Sequence, residues 1–262
     1  MQYTDQLNNN IILEKVPQRI ISVVPSQTEL LYDLGLENNI VGITKFCVHP
    51  ASALAEKTKV GGTKKLDIEK IVELKPDLII ANKEENTKEQ IEALQKLFPV
   101  WVSDINTLDD AYAMIKAIAE ITDKAEVGAT LLKRIRFEFD SFNKEIKPFK
   151  NKSIAYFIWR KPYLLSGSRT FIGNMLSLCG FLNIVGERYP EVEEAFLKSS
   201  KPDYIFLSSE PFPFKEKHIA EFKSICPNAK IKLVDGEMFS WYGSRLQYAP
   251  KYFRQILLPS CL

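Results

Sequence analysis

The stretch Ile68-Glu-Lys-Ile-Val-Glu-Leu-Lys-Pro-Asp-Leu-Ile-Ile80 decides the fold, because its core recurs. Lys75-Pro76-Asp77-Leu78-Ile79-Ile80 returns as Lys201-Pro202-Asp203-Tyr204-Ile205-Phe206, 126 residues later. Each copy follows a short helical pattern, Ile68 to Leu74 and Val192 to Lys198. Each is followed by a β-rich run, an amphipathic segment and another strand pattern. Upstream, Asn39-Ile-Val-Gly42 returns as Asn183-Ile-Val-Gly186, each shortly after a helix that ends at glycine, Gly35 and Gly180. Two matches in the same order predict two similar α/β lobes.

Working outward, strand patterns at 19–24, 40–43, 78–81 and 100–102 alternate with helical ones at 28–35, 67–75, 87–97 and 108–121. The second half reads as strand 153–158, helices 170–180 and 191–199, strand 204–208, helix 215–225, strand 231–234 and helix 248–258. Such alternation predicts βα units on mostly parallel sheets. Between the halves, Val127, Leu131, Ile135, Phe139, Phe142 and Ile146 recur every three or four residues. Thr122-Asp123 with Glu126 supplies a capping box and Pro148 a stop. A helix from 123 to 147 would be about 37 Å long. The expected organisation is an N-terminal lobe 1–122, a connecting backbone helix 123–148 and a C-terminal lobe 149–262.

Composition narrows the function classes. The chain has 262 residues, 45% hydrophobic and 26% charged, which is ordinary for a globular protein of one or two domains. A net charge of +2, from 35 basic and 33 acidic residues, argues against a nucleic-acid partner. Runs such as Ile20 to Val24 are far shorter than the roughly 18 residues of a membrane span, so the protein is not expected to be membrane-integral. The start, Met1 to Glu14, lacks a basic n-region and a long apolar stretch, so a cytoplasmic location is expected, or a periplasmic one if a leader has been removed. Four scattered cysteines (Cys47, Cys179, Cys226, Cys261) form no CxxC pair, and reduced thiols are expected.

These residues resemble a known family, the helical-backbone metal receptors, which are class III substrate-binding proteins of ABC importers for vitamin B12, ferric siderophores and haem. The resemblance rests on Pro17-Gln-Arg-Ile-Ile-Ser-Val-Val-Pro-Ser-Gln-Thr-Glu29, on Val60-Gly-Gly-Thr63, on Ile68 to Ile80 and on the connecting helix. It implies two lobes joined by one long helix, and a metal chelate (corrinoid, haem or ferric siderophore) held in the cleft between them. It implies no enzymatic activity and no intrinsic cofactor, and it makes Glu69 the candidate for docking a monomeric protein onto an ABC permease. Two departures stand out: the family is normally exported, and Thr63 occupies the place of the ligand-stacking Trp of B12-binding members.

The site is also placed by physics, because ligands of open α/β sheets bind beyond the carboxyl ends of the strands. Those ends carry Pro25, Ser26, Gln27 and Thr28, then Phe46, Cys47 and His49, then Asn82 with Glu84, Glu85 and Asn86. In the second half they carry Trp159, Arg160, Phe212, Phe239, Trp241 and Tyr242. Aromatics in such loops suit a planar macrocycle or catecholate, although they also serve to pack loops. Ser26 and Thr28 open a helix, either as caps or as part of an anion site. Ser168-Arg169-Thr170 does so in the second lobe, where Arg169, with Arg160 and Arg245, is a candidate to meet chelate carboxylates.

Cys47 and His49 would share a face of an extended segment and are the candidate metal ligands, with buried structural roles as the alternative. Glu84 and Glu85 either add oxygen ligands or form the acidic first turn of a helix from Asn86. The sequence contains one other histidine, His218, on an expected surface helix, so a three-histidine zinc site is excluded. One rival reading is a Cys/His or metal-dependent hydrolase, for which His49 is badly aimed and no nucleophile elbow or P-loop exists. The other is a cytoplasmic ligand sensor or metal chaperone of the same fold.

Overall fold

A computed structural model describes residues 1–146 and 151–258, so Pro148 and Cys261 lie outside the described residues. The first half contains β1 (Gln2–Thr4), β2 (Asn10–Ile12), β3 (Ile20–Ser22), α1 (Pro25–Asp33), β4 (Ile40–Ile43), α2 (Ala51–Glu56), β5 (Thr58–Lys59), β6 (Gly61–Gly62) and β7 (Lys65–Leu66). It continues with α3 (Ile68–Leu74), β8 (Leu78–Asn82), α4 (Lys88–Gln95), β9 (Val100–Ser103), α5 (Leu108–Ile121) and α6 (Ala125–Glu145). The second half contains β10 (Lys152–Trp159), β11 (Tyr163–Leu165), α7 (Phe171–Leu178), β12 (Phe181–Asn183), β13 (Glu191–Val192), α8 (Glu194–Ser200) and β14 (Tyr204–Ser208). It ends with α9 (Ile219–Ile225), β15 (Lys230–Val234), α10 (Glu237–Ser240) and α11 (Ala249–Leu257).

The chain divides into two compact units. In the first, a parallel sheet has the order β5-β4-β3-β8-β9. In the second, β12 and β14 run parallel to β10, and β15 to β14, while β11 pairs antiparallel with both β10 and β13. The path β4-β3-β8-β9 thus has its counterpart in β12-β10-β14-β15.

The Lys-Pro-Asp repeat has a physical meaning in this arrangement. Lys75 ends α3 in the left-handed region at φ 46°, and Lys201 ends α8 at φ 45°. Proline cannot continue either helix. The next residue then ties the strand that follows to its parallel neighbour in the sheet, at the start of β3 in the first unit and of β10 in the second. Asp77 accepts the N–H groups of Gln18 and Arg19 at 2.8 and 2.7 Å, and Asp203 accepts the N–H and hydroxyl of Ser153, both at 2.9 Å. Ser153 binds Asp203 so firmly that the carboxyl is held below its ordinary range.

Each unit has its own core. One joins Ile21, Val23, Ile71, Ile79, Ala81, Leu94 and Val102, and the other Ala155, Phe157, Leu197, Ile205, Leu207 and Phe222. Burying an aliphatic or aromatic side chain of this size contributes about 1.5–3 kcal/mol. The hairpin β1–β2, not foreseen from the sequence, is anchored by buried Asp5, which accepts the N–H groups of Leu7, Asn9 and Val102.

The connecting helix exists, but with different ends. It has 21 residues, about 31 Å at 1.5 Å per residue. Thr122 is not its cap: the Thr122 hydroxyl donates back to the Ile118 carbonyl at 2.7 Å, and Asp123 closes α5 in the left-handed region at φ 57°. Leu131, Ile135, Phe139, Phe142 and Ile146 are buried as the periodicity predicts, whereas Val127 is exposed. The division between units falls inside this helix, between Ile135 and Arg136, rather than at its two ends. The first unit also takes Trp241–Gln247, a short strap from far along the chain.

Candidate functional site

In the first unit, the carboxyl ends of β3 and β8 meet at the point where strand order reverses. α1 starts there, with Pro25 at its first turn and Val24 before it in extended conformation. Ser26 makes no capping bond, and both it and Gln27 are buried. The Gln27 amide donates to Ser103 Oγ at 2.5 Å, while its carbonyl oxygen is buried with no hydrogen-bond partner. Asn82 also faces inward: its amide donates to Ser103, and its oxygen accepts the N–H groups of Glu84 and Glu85 at 2.8 and 2.9 Å. Glu84 and Glu85 therefore form a capped turn and not the first turn of α4, which begins at Lys88. Asn86 closes the crevice by donating to the carbonyls of Val23 and Thr63, both at 3.1 Å, and Thr63 is half-buried.

The two members of the candidate metal pair have different surroundings. Residues 44–47 form a turn rather than an extended strand, with the Cys47 N–H bonded to the Thr44 carbonyl at 3.2 Å. Cys47 is fully buried, its sulfur 3.1 Å from Thr28 Oγ1 and 3.2 Å from Thr44 Oγ1. Burial pushes its thiol pKa up, which disfavours the thiolate a metal would need. His49 is half-buried and sets its ring edge against Trp241, with centroids 5.3 Å apart. Among the described residues, no three His, Cys, Asp or Glu side chains cluster as a metal site would require. The exposed aromatic of this unit is Phe46, with Lys45 over its ring.

The strap supplies the most organised group of the first unit. Arg245 donates to both Glu29 oxygens, at 2.9 and 2.7 Å, and lies over the Trp241 ring at 4.9 Å. The backbone at Gly243 presses so closely on Ser26 that an added Cβ would lie 2.4 Å from the Ser26 carbonyl oxygen. Trp241 and Tyr242 are 8% and 7% exposed, so these two rings, expected as stacking platforms, pack the strap onto its unit. Burial raises the Glu29 carboxyl pKa in spite of Arg245 and His49, which pull it the other way.

In the second unit, the end of β10 presents Trp159, 41% exposed, edge-on to half-buried Phe212 at 5.7 Å. Arg160 is not available as an anion clamp: it forms a pair with Glu221 at 2.7–2.8 Å, and Glu221 also accepts the Tyr163 hydroxyl at 2.6 Å. Phe239, expected to face ligand, is fully buried, because the short α10 turns it onto Tyr156, Phe206 and Phe253. At the start of α7, Thr170 caps the helix by accepting the Gly173 N–H at 2.9 Å, and Arg169 is exposed. His218 is 6% exposed, not on a solvent-facing helix, and packs against Phe212 and Phe214. The sequence offered one hint of this, the Phe212-Pro-Phe214 pair four residues before the histidine. Glu221, 61 residues from Arg160, offered none.

The strand ends thus carry aromatic and amide-bearing side chains, and two of the three candidate arginines, Arg160 and Arg245, are each paired with a carboxylate of their own unit. A vitamin B12-binding protein of Vibrio cholerae is 31% identical over 197 residues, covering 73% of this chain and 70% of its own. The crystal structure of a periplasmic vitamin B12 binding protein from Vibrio cholerae superposes with a TM-score of 0.80 at 24% identity, covering 93% of this chain and 99% of its own. A periplasmic haem binding protein from Pseudomonas aeruginosa gives 0.79 at 20% identity, covering 93% and 94%. The sequence profile described as periplasmic binding protein matches residues 20–224, and the chain belongs to that family, as a substrate-binding protein and not an enzyme.

Proposed function

We propose that the protein binds a metal chelate whose rim is amide-like rather than anionic, a corrinoid before haem or a ferric catecholate, and delivers it to an ABC importer. One observation carries the choice of ligand. Of the three arginines suited to grip ionised carboxylates, Arg160 and Arg245 are already held by carboxylates of the same unit, which leaves the exposed Arg169 alone. A chelate bearing two or three negative charges would have to break these pairs, whereas an amide-rimmed ring needs only hydrogen bonds and stacking. Each unit by itself offers an exposed aromatic ring of the kind stacking needs, Phe46 in the first and Trp159 in the second. The relatives named for vitamin B12 agree with this reading. The partner in the same reading is the importer's membrane component, with exposed Glu69 in the first turn of α3 as the docking acid.

Absorption titration with dicyanocobinamide, cyanocobalamin, haemin and a ferric tris-catecholate tests the ligand class. Corrinoid binding at micromolar concentration or tighter, about −8 kcal/mol or more favourable, is expected, with haemin and the catecholate at least tenfold weaker. Tight haemin or catecholate binding without corrinoid binding overturns the choice.

A further inference from the structure

We infer that His218 is the positioning residue for the Phe212–Trp159 wall of the second unit, and that it holds this wall only while its imidazole is neutral. Residues 209–218 leave the end of β14, pass Phe212 and close in a 3-10 turn at Glu216–His218. His218 Nδ1 accepts the Lys215 N–H at 2.9 Å, and the His218 N–H donates to the Lys215 carbonyl at 2.8 Å. The ring itself is the floor of the loop, with centroids 5.5 Å from Phe212 and 5.7 Å from Phe214. Phe212 in turn stands against Trp159. One imidazole thus fixes both the backbone of the loop and the aromatic side chain it presents.

An Nδ1 that accepts a hydrogen bond carries no proton, so the neutral ring bears its hydrogen on Nε2. Adding a proton places a second N–H on Nδ1, head-on against the Lys215 N–H, and the bond is lost. The surroundings oppose that proton as well. Burial depresses the imidazole pKa most, Arg160 at the end of β10 and Lys217 and Lys215 in the turn add to it, and only Glu221 on α9 opposes them. Because the folded value lies below the ordinary 6.5, the loop's stability is complete above that pH and is lost as pH falls through the folded value.

That Phe212 and Trp159 meet a chelate rests on the proposed binding role. The dependence of the loop on His218 does not, and it is visible without ligand, so the two readings fail separately. Amide exchange followed by NMR, corrected for the intrinsic rate, measures protection of the Lys215 N–H. Protection should fall roughly tenfold between about pH 7.5 and pH 5 in the wild type. His218→Asn, whose side-chain oxygen replaces Nδ1 but does not titrate, should stay protected at both values. His218→Ala should be unprotected at both. In protein labelled with 5-fluorotryptophan, the Trp159 resonance should move with the Lys215 amide. A wild type whose protection is the same at both pH values, or a His218→Asn variant that loses it on acidification as the wild type does, overturns the inference.

Discussion

At Arg245 the sequence supplied a plausible ligand contact and the structure supplies a structural pair. The Glu29 and Arg245 side chains are only 13% and 11% exposed, so removing one partner strands a charge in a poorly hydrated place. Arg245→Leu should lower the free energy of unfolding by about 3–5 kcal/mol near neutral pH, measured by urea titration. Replacing both residues, Glu29→Met with Arg245→Met, should recover most of that loss. The pH dependence has a defined sign. Burial raises the Glu29 pKa, so folding favours the protonated form and the group's contribution declines as pH rises above 4.5. The deficit of Arg245→Leu should therefore shrink as the solution is acidified towards that value. A deficit independent of pH would show that packing against Trp241, rather than the carboxylate, is what Arg245 supplies. Such pairings were not legible in the sequence, since 216 residues separate Glu29 from Arg245. The extended conformation expected around Cys47 is a turn for a different reason: over a few residues, periodicity does not separate a turn from an extended strand.

Secondary elements were far more legible. Helices whose apolar spacing runs over a dozen residues appear close to where they were expected, because burial on one face imposes that spacing. The elements that were missed are short: the strands β1, β2, β5, β6, β7, β11, β12 and β13 have two or three residues and are defined by the strands they pair with, and the helices α2 and α10 have six and four. Packing between elements was also invisible, and Gly128 illustrates it. A Cβ at this position in α6 would lie 2.4 Å from the Ala119 Cβ of α5. The helices approach one another through that gap. Gly128→Ala would gain up to about 1 kcal/mol in helix propensity and lose more by overpacking, typically 1–3 kcal/mol. A net loss of stability is expected in thermal or urea unfolding, and Ala119→Gly added to it should restore part of the loss. Stabilisation by Gly128→Ala alone would mean that the two helices separate at little cost.

For the whole molecule, the repeat in the sequence translated into repeated architecture, down to the left-handed lysine and the strand-tying aspartate of each unit. The acids available for docking are not repeated. Glu69 lies one residue into α3, and the same place in α8 is Ala195, with Glu193 and Glu194 just before it. If the protein serves an importer, Glu69→Lys should weaken its binding to the membrane component, the more so at low salt, while leaving affinity for dicyanocobinamide unchanged. Measured uptake or binding in reconstituted vesicles that ignores this charge reversal would leave the protein without its first docking contact.

The strap has a consequence for how the chain comes into being. A ribosome releases the polypeptide from its N-terminus, and domains usually fold as they emerge. Here the first unit cannot be completed in that order, because Trp241–Gln247 follows residues 136–240 of the second unit. Until then Glu29 has no arginine beside it and the α1 surface beneath the strap stands open to solvent. The unit that is synthesised first is thus finished only after most of the other has been made, and a nascent chain stalled before residue 241 would display that surface to chaperones.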